Sequence, residues 1–261
     1  MHRFFLPGEY IEEDIVRFPR DAARQMSRVL RLRPGKTVII LDNWGNEYDV
    51  RITELDAKSG MGCVDACREA GGEPDTRVVL YVCLTRREKF EWILQKCTEV
   101  GAVGFVPLIS ERSLVRNRGE AMKKAERWKR IIQEAAEQSG RGKLPELSPI
   151  MEFNEAVLSA SQEGILALMP WEGEETCSLR QALVPLQEKA KAGEEALSVS
   201  VLVGPEGGFS EGEVEYARKA GIVTVTLGSR ILRMETAAVV VVSLILHEMG
   251  DMEGGLGSRG V

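Results

Sequence analysis

The sequence predicts an α/β protein in which a small β-rich domain precedes a larger domain of alternating strands and helices. Three observations predict this. Strand patterns dominate the first stretch of about 70 residues, Gly71–Asp75 (GGEPD) has the composition of a linker, and strand and helix patterns alternate from Arg77 onward. With 261 residues, 44% of them hydrophobic, the chain is long enough to bury the cores of two domains. We place these domains at residues 1–72 and 73–261.

In the first domain, a helical segment precedes a hairpin, and the turn Pro34-Gly35 separates the two. The predicted elements are a helix at Pro19–Leu30 and strands at Thr37–Asp42, Glu47–Leu55 and Gly60–Ala70. Trp44 lies at the tip of the hairpin. Its ring could stack on a nucleic-acid base or pack on its own domain, and the sequence leaves both possibilities open.

In the second domain, apolar β-branched runs alternate with amphipathic stretches. We predict strands at Arg77–Cys83, Gly104–Ile109 and Ile165–Met169, and helices at Lys89–Val100 and Lys123–Ser139. Trp128 and its neighbours at helical spacing (Ile131, Ile132, Ala135) favour a core role for one face of the last helix. The segment Trp171–Leu197 is acidic and uninformative, and we expect it either to vary in sequence or to be mobile.

The chain is organised around its C-terminal stretch, residues 198–250. Val199, Val201 and Val203 belong to an apolar run typical of a strand buried on both faces. Ser210 and Glu213 form a capping-box pattern, which predicts a helix at Glu211–Ala220 that Gly221 closes. The remaining predicted elements are a strand at Val223–Leu227, a loop at Gly228–Thr236 and a helix at Ala237–Met249, with His247 as a core residue of that helix.

Composition narrows the possible functions. The chain holds two histidines, so a serine–histidine triad or a histidine-rich metal site is effectively excluded, and we expect no metal. The five cysteines are odd in number and mostly far apart, which favours reduced thiols in a cytoplasmic protein. The N-terminal residues lack a secretory pattern, and no apolar run is long enough to span a bilayer.

The glycine-rich turn Gly204–Gly208 (GPEGG) suits a cationic or neutral ligand better than a phosphate. It lacks the G-x-G-x-x-G spacing, its proline removes an amide donor, and the Glu206 carboxylate would repel a pyrophosphate. A turn with bare backbone and one carboxylate fits S-adenosylmethionine, whose sulfonium and ammonium groups are positive. An ordinary strand-to-helix turn with an exposed glutamate explains the same residues about equally well.

Two basic clusters favour RNA as a partner although the net charge is −6. Binding to phosphates would weaken with salt, whereas solvated helix faces would show no such effect. The first cluster consists of Arg24, Arg28, Arg31, Arg33 and Lys36. The second comprises Arg112, Arg116, Arg118, Lys123, Lys124, Arg127, Lys129 and Arg130.

Several motifs in register give the chain a family resemblance. The segments that carry it are MHRFF (Met1–Phe5), VLRLRPG (Val29–Gly35), EKFEWILQKCTEVG (Glu88–Gly101), SER (Ser110–Arg112), EAAEQSGR (Glu134–Arg141), LVGPEGGFSEGE (Leu202–Glu213) and LGSRILRMETAA (Leu227–Ala238). Together they resemble the 16S ribosomal RNA uracil-N3 methyltransferases, the RsmE family of the SPOUT superfamily. The resemblance implies a SPOUT-type trefoil-knotted α/β methyltransferase domain, a preceding PUA-like β-barrel that binds RNA, a homodimer, and S-adenosylmethionine as cofactor.

The resemblance also assigns roles to individual residues. Residues that would cradle the cofactor are Leu202, Gly204, Gly208, Leu227, Gly228, Leu232, Met234 and Ala237. Arg233 would stabilise charge on the uracil, and Glu206 or Glu235 would accept its proton. Residues that would contact RNA are Arg3, Arg28, Arg31, Arg86, Arg87, Lys89, Arg112 and Arg141. The chain departs from the family pattern at Ser229, where proline is usual, and at Met234, where threonine is usual.

The residues by themselves leave two other functions open. One is a different RNA methylation on the same fold, at a ribose 2′-hydroxyl or another base. The other is a catalytically silent RNA-binding factor in ribosome assembly. A nucleotide-dependent oxidoreductase is disfavoured by the chemistry of the glycine-rich turn.

Overall fold

A computed structural model describes residues 1–193 and 197–253 of the chain. Its contacts divide the chain into two compact units. The first is Met1–Glu73 with Gln133–Leu144, and the second is Pro74–Ile132 with Pro145–Val261. No helix in the described part of the chain is long and apolar enough to cross a membrane.

The first unit is built on a six-stranded sheet. Its strands are β1 (Arg3–Phe5), β2 (Ile11–Glu12), β3 (Ile15–Phe18), β4 (Thr37–Leu41), β5 (Asn46–Leu55) and β6 (Gly60–Glu69). They lie in the order β1-β4-β5-β6-β3-β2, and all neighbours are antiparallel except β1 and β4. The three strands predicted from sequence correspond to β4, β5 and β6. Alternating inward residues fill the core, among them Val38, Ile40, Val50 and Ile52.

The predicted helix at Pro19–Leu30 has two parts. Helix α1 covers Arg20–Arg24, and a π-helical turn continues it over Gln25–Val29. Ala23 and Met26 are buried in the core of this unit, whereas Arg24 and Gln25 between them are exposed. A single 3₁₀ turn lies at Gly8–Tyr10.

The second unit is a parallel sheet flanked by helices. Its strands are β7 (Arg77–Cys83), β8 (Gly104–Ile109), β9 (Glu146–Leu147), β10 (Met151–Glu152), β11 (Leu166–Pro170), β12 (Ser198–Val203) and β13 (Val223–Val225). The order is β10-β8-β7-β12-β11-β13, with β9 also pairing with β8. Strand β12 lies between β7 and β11, which explains its continuous apolar run, because both faces and both edges are covered.

Seven further helices accompany the strands. They are α2 (Arg87–Val100), α3 (Arg118–Met122), α4 (Ala125–Ser139), α5 (Phe153–Ala160), α6 (Leu179–Lys191), α7 (Glu211–Lys219) and α8 (Met234–Glu248). The capping box that opens α7 is confirmed: the Glu213 N–H donates to Ser210 Oγ at 3.3 Å, and the Ser210 N–H donates to Glu213 Oε2 at 2.9 Å. Trp128 of α4 is buried and packs on Phe90, with ring centroids 4.6 Å apart, so its predicted core role is confirmed.

Three expectations need correction. Helix α8 begins at Met234, so the loop before it is shorter than predicted. His247 is exposed rather than part of the core. The acidic segment Trp171–Leu197 holds helix α6, in which Leu183 and Leu186 are buried, so it is not the featureless stretch that its composition indicated. Residues 194–196 of that segment lie outside the described residues.

Candidate functional site

The parallel sheet brings loops from distant parts of the chain to one edge. Because all strands of the second unit run in the same direction, the segments after β7, β8, β11, β12 and β13 leave it at the carboxyl edge, where open α/β sheets bind ligands. Strand β11 lies between β12 and β13, so the loop that starts at Trp171 lies between the two loops predicted to hold the cofactor. The Trp171 N–H donates to Val225 O at 3.1 Å, and the Thr226 N–H donates to Cys177 O at 2.9 Å.

A lysine joins the two predicted cofactor loops. The Lys89 ammonium, on the first turn of α2, lies 3.2 Å from Glu206 Oε1 in the loop after β12. It also lies 3.5 Å from Glu235 Oε2 at the start of α8. Thr85, just after β7, donates a hydrogen bond of 2.5 Å to Glu206 Oε1. Three segments of the second unit therefore meet here: the stretch from Thr85 to Lys89, the loop after β12 and the start of α8. Lys89 was expected to contact RNA, and its partners here are carboxylates.

The two carboxylates in this cluster differ in their environments. Burial by itself raises the pKa of Glu206, but hydrogen bonds from Thr85 and Lys89 and the lysine charge outweigh it, so the pKa lies below its usual range. Glu235 has a side chain that is 18% exposed, and its Oε2 is buried without a hydrogen-bond partner. That oxygen lies 3.5 Å from the Lys89 ammonium, the cation that offsets its charge. The assignment of the proton acceptor to Glu206 or Glu235 stays a prediction.

The glycine-rich turn after β12 is held open by its backbone conformation. Gly208 has a φ of +67°, which a side chain with a Cβ adopts only with strain. A Cβ built on Gly208 would also lie 2.4 Å from the Glu172 carboxylate, in the loop after β11. On the other side, the Arg112 guanidinium donates to Gly207 O at 2.9 Å. Glu172 was not identified from sequence, because its place beside the turn depends on the strand order.

The other predicted cofactor residues lie on the same two loops. Leu202 is buried near the end of β12, and Gly204 follows that strand directly. Leu227 is partly buried after β13, Gly228 has a positive φ of 106°, and Leu232 is partly buried. Met234 and Ala237 lie on the first turn of α8, where Met234 is buried. The assignment of these residues to a cofactor stays a prediction.

Arg233 occupies the N-cap position of α8, and its side chain does not cap the helix. It is exposed and forms no ion pair within the described residues. Glu235 follows on the first turn of the same helix. The loop thus ends in an exposed cation two residues before the carboxylate whose Oε2 lacks a hydrogen-bond partner.

Glu174 fixes the loop between the two predicted cofactor loops. Its carboxylate is 7% exposed and accepts hydrogen bonds from Thr176 Oγ1 at 2.5 Å, Thr224 Oγ1 at 2.5 Å and Arg218 Nη2 at 2.8 Å. It also accepts from the backbone N–H groups of Thr176 and Cys177 at 2.9 and 3.1 Å. These hydrogen bonds, with those from Thr176 and Thr224 foremost, lower the pKa of Glu174 to about 2. The acidic composition of this segment gave no sign of this role.

Replacing Glu174 by alanine is expected to lower the free energy of unfolding by about 2 kcal/mol, because the buried Thr224 hydroxyl loses its acceptor and the ion pair with Arg218 is lost. Since the folded-state pKa of about 2 lies below the ordinary 4.5, the stabilisation is present above pH 4.5 and is lost as the pH falls through 2. Urea unfolding at neutral and acid pH measures both effects. The control Glu215→Ala removes an exposed pair with Lys219 and should change stability little. Equal losses in the two variants would contradict the role of Glu174.

The predicted RNA-contacting arginines fall into two groups. Arg86, Arg87 and Arg112 are exposed near the carboxyl edge of the parallel sheet, and Arg28 and Arg31 are exposed on the first unit. Arg3 and Arg141 are engaged within the first unit. Arg3 pairs with Glu47 at 2.5 Å, and the Arg141 side chain is 2% exposed and binds Glu73 at 2.6 Å. In this structure, neither Arg3 nor Arg141 is available to RNA phosphates.

A surface cleft of about 510 Å³ lies at the start of α2, and several residues that line it are neighbours of Lys89 in the sequence. Its lining residues are Arg86, Arg87, Glu88, Glu91 and Arg127. Glu91 accepts hydrogen bonds from Arg87 at 3.0 Å and from Arg127 at 2.6 and 2.9 Å. The hydrogen bond from Arg127 foremost, against a smaller opposing effect of burial, lowers the pKa of Glu91. Among the described residues, no group of three or more His, Cys, Asp or Glu side chains is placed to hold a metal ion.

Comparisons with known proteins place the chain in a family. The model of the RNA methyltransferase domain matches residues 72–246. Ribosomal RNA small subunit methyltransferase E of Aquifex aeolicus is 34% identical over 82% of this chain and 96% of that protein. The protein of the same name from Bacillus subtilis is 30% identical over 97% of this chain and 99% of that protein.

A solved structure agrees with these matches. It is that of ribosomal RNA small subunit methyltransferase E from Neisseria gonorrhoeae bound to S-adenosyl methionine. It has a TM-score of 0.82 and 29% identity, and the match covers 95% of this chain and 97% of that one. The α/β architecture expected from sequence is thus confirmed, and so is the resemblance drawn from the motifs. The chain belongs to the RNA methyltransferase family, and within it to the ribosomal RNA small subunit methyltransferases E.

Proposed function

We propose that this chain is an S-adenosylmethionine-dependent enzyme that methylates the N3 atom of one uridine in the 16S ribosomal RNA of the small subunit. The observation that carries the proposal is the pair of ion contacts that Lys89 makes with Glu206 and Glu235. These contacts link the loop after β12 to the start of α8. Together with the segments after β7 and β11, these loops form one carboxylate-rich edge of a parallel sheet. The names of its relatives and their structure with the cofactor support the same activity.

The residues at this edge fit the cofactor. Glu172, Glu206 and Glu235 place negative charge around the glycine-rich turn, which suits a sulfonium and an ammonium group and disfavours a nucleotide phosphate. The left-handed, side-chain-free backbone at Gly208 leaves main-chain atoms open to a flat ring. We assign the cradle to Leu202, Gly204, Gly208, Leu227, Gly228, Leu232, Met234 and Ala237. When bound, S-adenosylmethionine supplies an electrophilic methyl group on its sulfonium.

The protein's part in the reaction is to deprotonate and orient the uracil. Glu235 takes the N3 proton, which leaves the N3 electron pair free to attack. Arg233, an exposed cation two residues earlier, stabilises the negative charge that then spreads over the uracil carbonyl oxygens. Glu206 stays ionised and weakly basic because of its lowered pKa, and with Thr85 it holds Lys89 in place.

The finer architecture follows from the family. We assign residues 73–261 to a SPOUT domain with a trefoil knot and residues 1–72 to a PUA-like β-barrel that binds RNA, and Gln133–Leu144 of the longer segment packs with the first unit. The chain acts as a homodimer in the cytoplasm. The parallel sheet followed by α8 and the six-stranded, mainly antiparallel sheet support this division. Residues 254–261 of the second domain lie outside the described residues.

The first basic cluster is the proposed RNA surface of the first unit. Arg24, Arg28, Arg31, Arg33 and Lys36 are all exposed. None of them pairs with a carboxylate within the described ranges, although the whole chain carries an excess of negative charge. Unpaired cations concentrated on one short segment are the electrostatic footprint expected of phosphate binding.

The double variant Arg28→Gln/Arg31→Gln is expected to bind 16S ribosomal RNA more weakly at every salt concentration. The slope of log K against log salt should become shallower by about 1.4 to 1.8, because two phosphate contacts are lost. Filter binding over a salt series measures this. Arg17→Gln, which removes an exposed arginine of the same unit already paired with Glu12, is the control and should leave the slope unchanged. An unchanged slope in the double variant would rule out this surface.

The activity itself is tested with ribosomal RNA from a strain that lacks the native enzyme. Purified chain and tritiated S-adenosylmethionine are incubated with either free 16S RNA or assembled small subunits, and the modified nucleoside is identified by mass spectrometry. We expect 3-methyluridine at one position. A ribose 2′-O-methyl product, methylation of another base, or no incorporation into either substrate would overturn the proposal.

A further inference from the structure

Trp44 is the most exposed tryptophan of the described chain, and the structure decides a question that the sequence left open. It lies in the hairpin between β4 and β5, and its side chain is 80% exposed. It therefore does not pack on its own unit. A large aromatic ring left in water forgoes stabilisation that burial would provide, which calls for a reason.

The loop that carries Trp44 is fixed by a buried carboxylate. Asp42, which is 5% exposed, accepts hydrogen bonds through Oδ1 from the N–H groups of Trp44 at 2.7 Å, Gly45 at 3.1 Å and Asn46 at 3.0 Å. Its Oδ2 accepts from Asn46 Nδ2 at 2.7 Å. The backbone on both sides of the indole is thus held in one conformation, and the ring is directed into solvent by a rigid support.

Neighbouring segments of the same unit anchor this loop further. Asn43 adopts a left-handed φ of 64°, and its Oδ1 accepts the Leu144 N–H at 2.6 Å. The Ala70 N–H donates to Gly45 O at 2.8 Å. An aromatic side chain on such a support loses little conformational entropy when a ligand covers it.

A cation lies beside the same loop. The Cε atom of Lys143 is 3.3 Å from the position that a Cβ on Gly45 would occupy, so the lysine stem crosses the loop at its glycine. Lys143 is exposed and pairs with no carboxylate among the described residues. The loop therefore offers an exposed aromatic side chain at Trp44 and, beside the next residue, Gly45, an uncompensated positive charge.

We infer that Trp44 and Lys143 form a stacking platform for one unpaired base of the RNA, with the indole against the base and the ammonium near a flanking phosphate. The inference rests on the proposed function, because that function makes RNA the partner. Tryptophans at protein–protein hot spots sit in apolar, desolvated pockets, whereas the neighbours here are Asn43, Asn46 and Lys143. An aromatic face next to a cation is the arrangement by which proteins bind single-stranded RNA.

The test is binding of protein-free 16S ribosomal RNA, measured by filter binding without cofactor. Stacking on one base contributes about 1–3 kcal/mol, so Trp44→Ala is expected to weaken binding about 5- to 150-fold. Trp44→Phe should retain most of the affinity, because a flat ring remains. Lys143→Gln should make the salt slope shallower by about 0.7, the value for one phosphate of a single strand. Trp92→Ala, which removes a partly exposed tryptophan of the second unit, is the matched control and should leave binding unchanged.

Two further readouts keep the outcomes distinct. RNA should quench indole emission in the wild type, and Trp44→Phe should lose most of that quenching. Sedimentation of wild type and Trp44→Ala shows whether the ring instead lies in a contact between two copies of the chain. Unchanged RNA affinity of Trp44→Ala overturns the inference, with or without a change in sedimentation. Failure of the wild type to form 3-methyluridine would overturn the proposed function. The RNA affinity of Trp44→Ala would still decide whether Trp44 stacks on a base.

Discussion

Replacing Glu235 by glutamine is expected to lower kcat by about 10²- to 10⁴-fold while leaving the affinity for S-adenosylmethionine near that of the wild type. Glutamine keeps the shape of the side chain but cannot accept the N3 proton, and a positioned base contributes about this factor to the rate. The Oε2 atom of Glu235 is buried, has no hydrogen-bond partner and lies 3.5 Å from the Lys89 ammonium. Single-turnover methylation of 16S RNA measures the rate, and calorimetry measures cofactor binding.

The matched control is Glu206→Gln, which changes the other carboxylate of the same cluster. Glu206 already accepts hydrogen bonds from Thr85 and Lys89, and its lowered pKa means that it takes up a proton less readily than an ordinary glutamate. We expect a loss of rate in this variant well below that of Glu235→Gln. A larger loss for Glu206→Gln, with Glu235→Gln close to the wild type, would reverse the assignment of the proton acceptor.

Arg233→Ala is expected to reduce kcat by about 10²- to 10³-fold, as for the loss of one donor that stabilises a developing oxyanion. Its stability should stay near that of the wild type, because Arg233 is exposed and forms no ion pair within the described residues. Arg233→Lys should restore part of the rate, since it keeps the charge but not the planar fork. Cofactor affinity should hardly change, which separates a role on the uracil from a role on the cofactor.

Arg230→Ala serves as the control for Arg233, because Arg230 is an exposed arginine of the same loop. If the rate depended on the overall positive charge of the loop, both alanine variants would lose activity to the same extent. We expect the loss to be confined to Arg233. Equal falls in kcat and in cofactor affinity for Arg233→Ala would show that its assignment to the uracil is wrong.

The C-terminal elements could be predicted from the sequence because each is indicated by residues that are close together in the chain. Ser210 and Glu213 lie three residues apart, so the capping box that opens α7 is encoded within one turn. The β-branched run of β12 and the helical spacing around Trp128 likewise involve neighbours in the chain. For the same reason the family motifs, which are short and contiguous, identified the α/β fold and the two loops at its carboxyl edge.

Roles that depend on partners far away in the chain are not visible in the sequence. Arg3 and Arg141 were assigned to RNA, yet their partners Glu47 and Glu73 lie 44 and 68 positions away and bind them within the first unit. Glu174 was passed over in an acidic stretch, although Thr224, 50 positions later, donates to it. A charged residue in a sequence shows its sign but not its partner, so composition cannot separate a free cation from a paired one.

The sequence by itself determined the class of fold, the family, and which two loops carry the candidate chemistry. Only the tertiary structure decided which charged side chains at that edge hold the loops in place and which are left to act on a substrate. The order of the parallel strands inserts the loop of Glu172 and Glu174 between the other two, and it sets Lys89 between Glu206 and Glu235. Contacts of this kind are fixed when strands far apart in the chain pair side by side, and no local pattern of residues records that pairing.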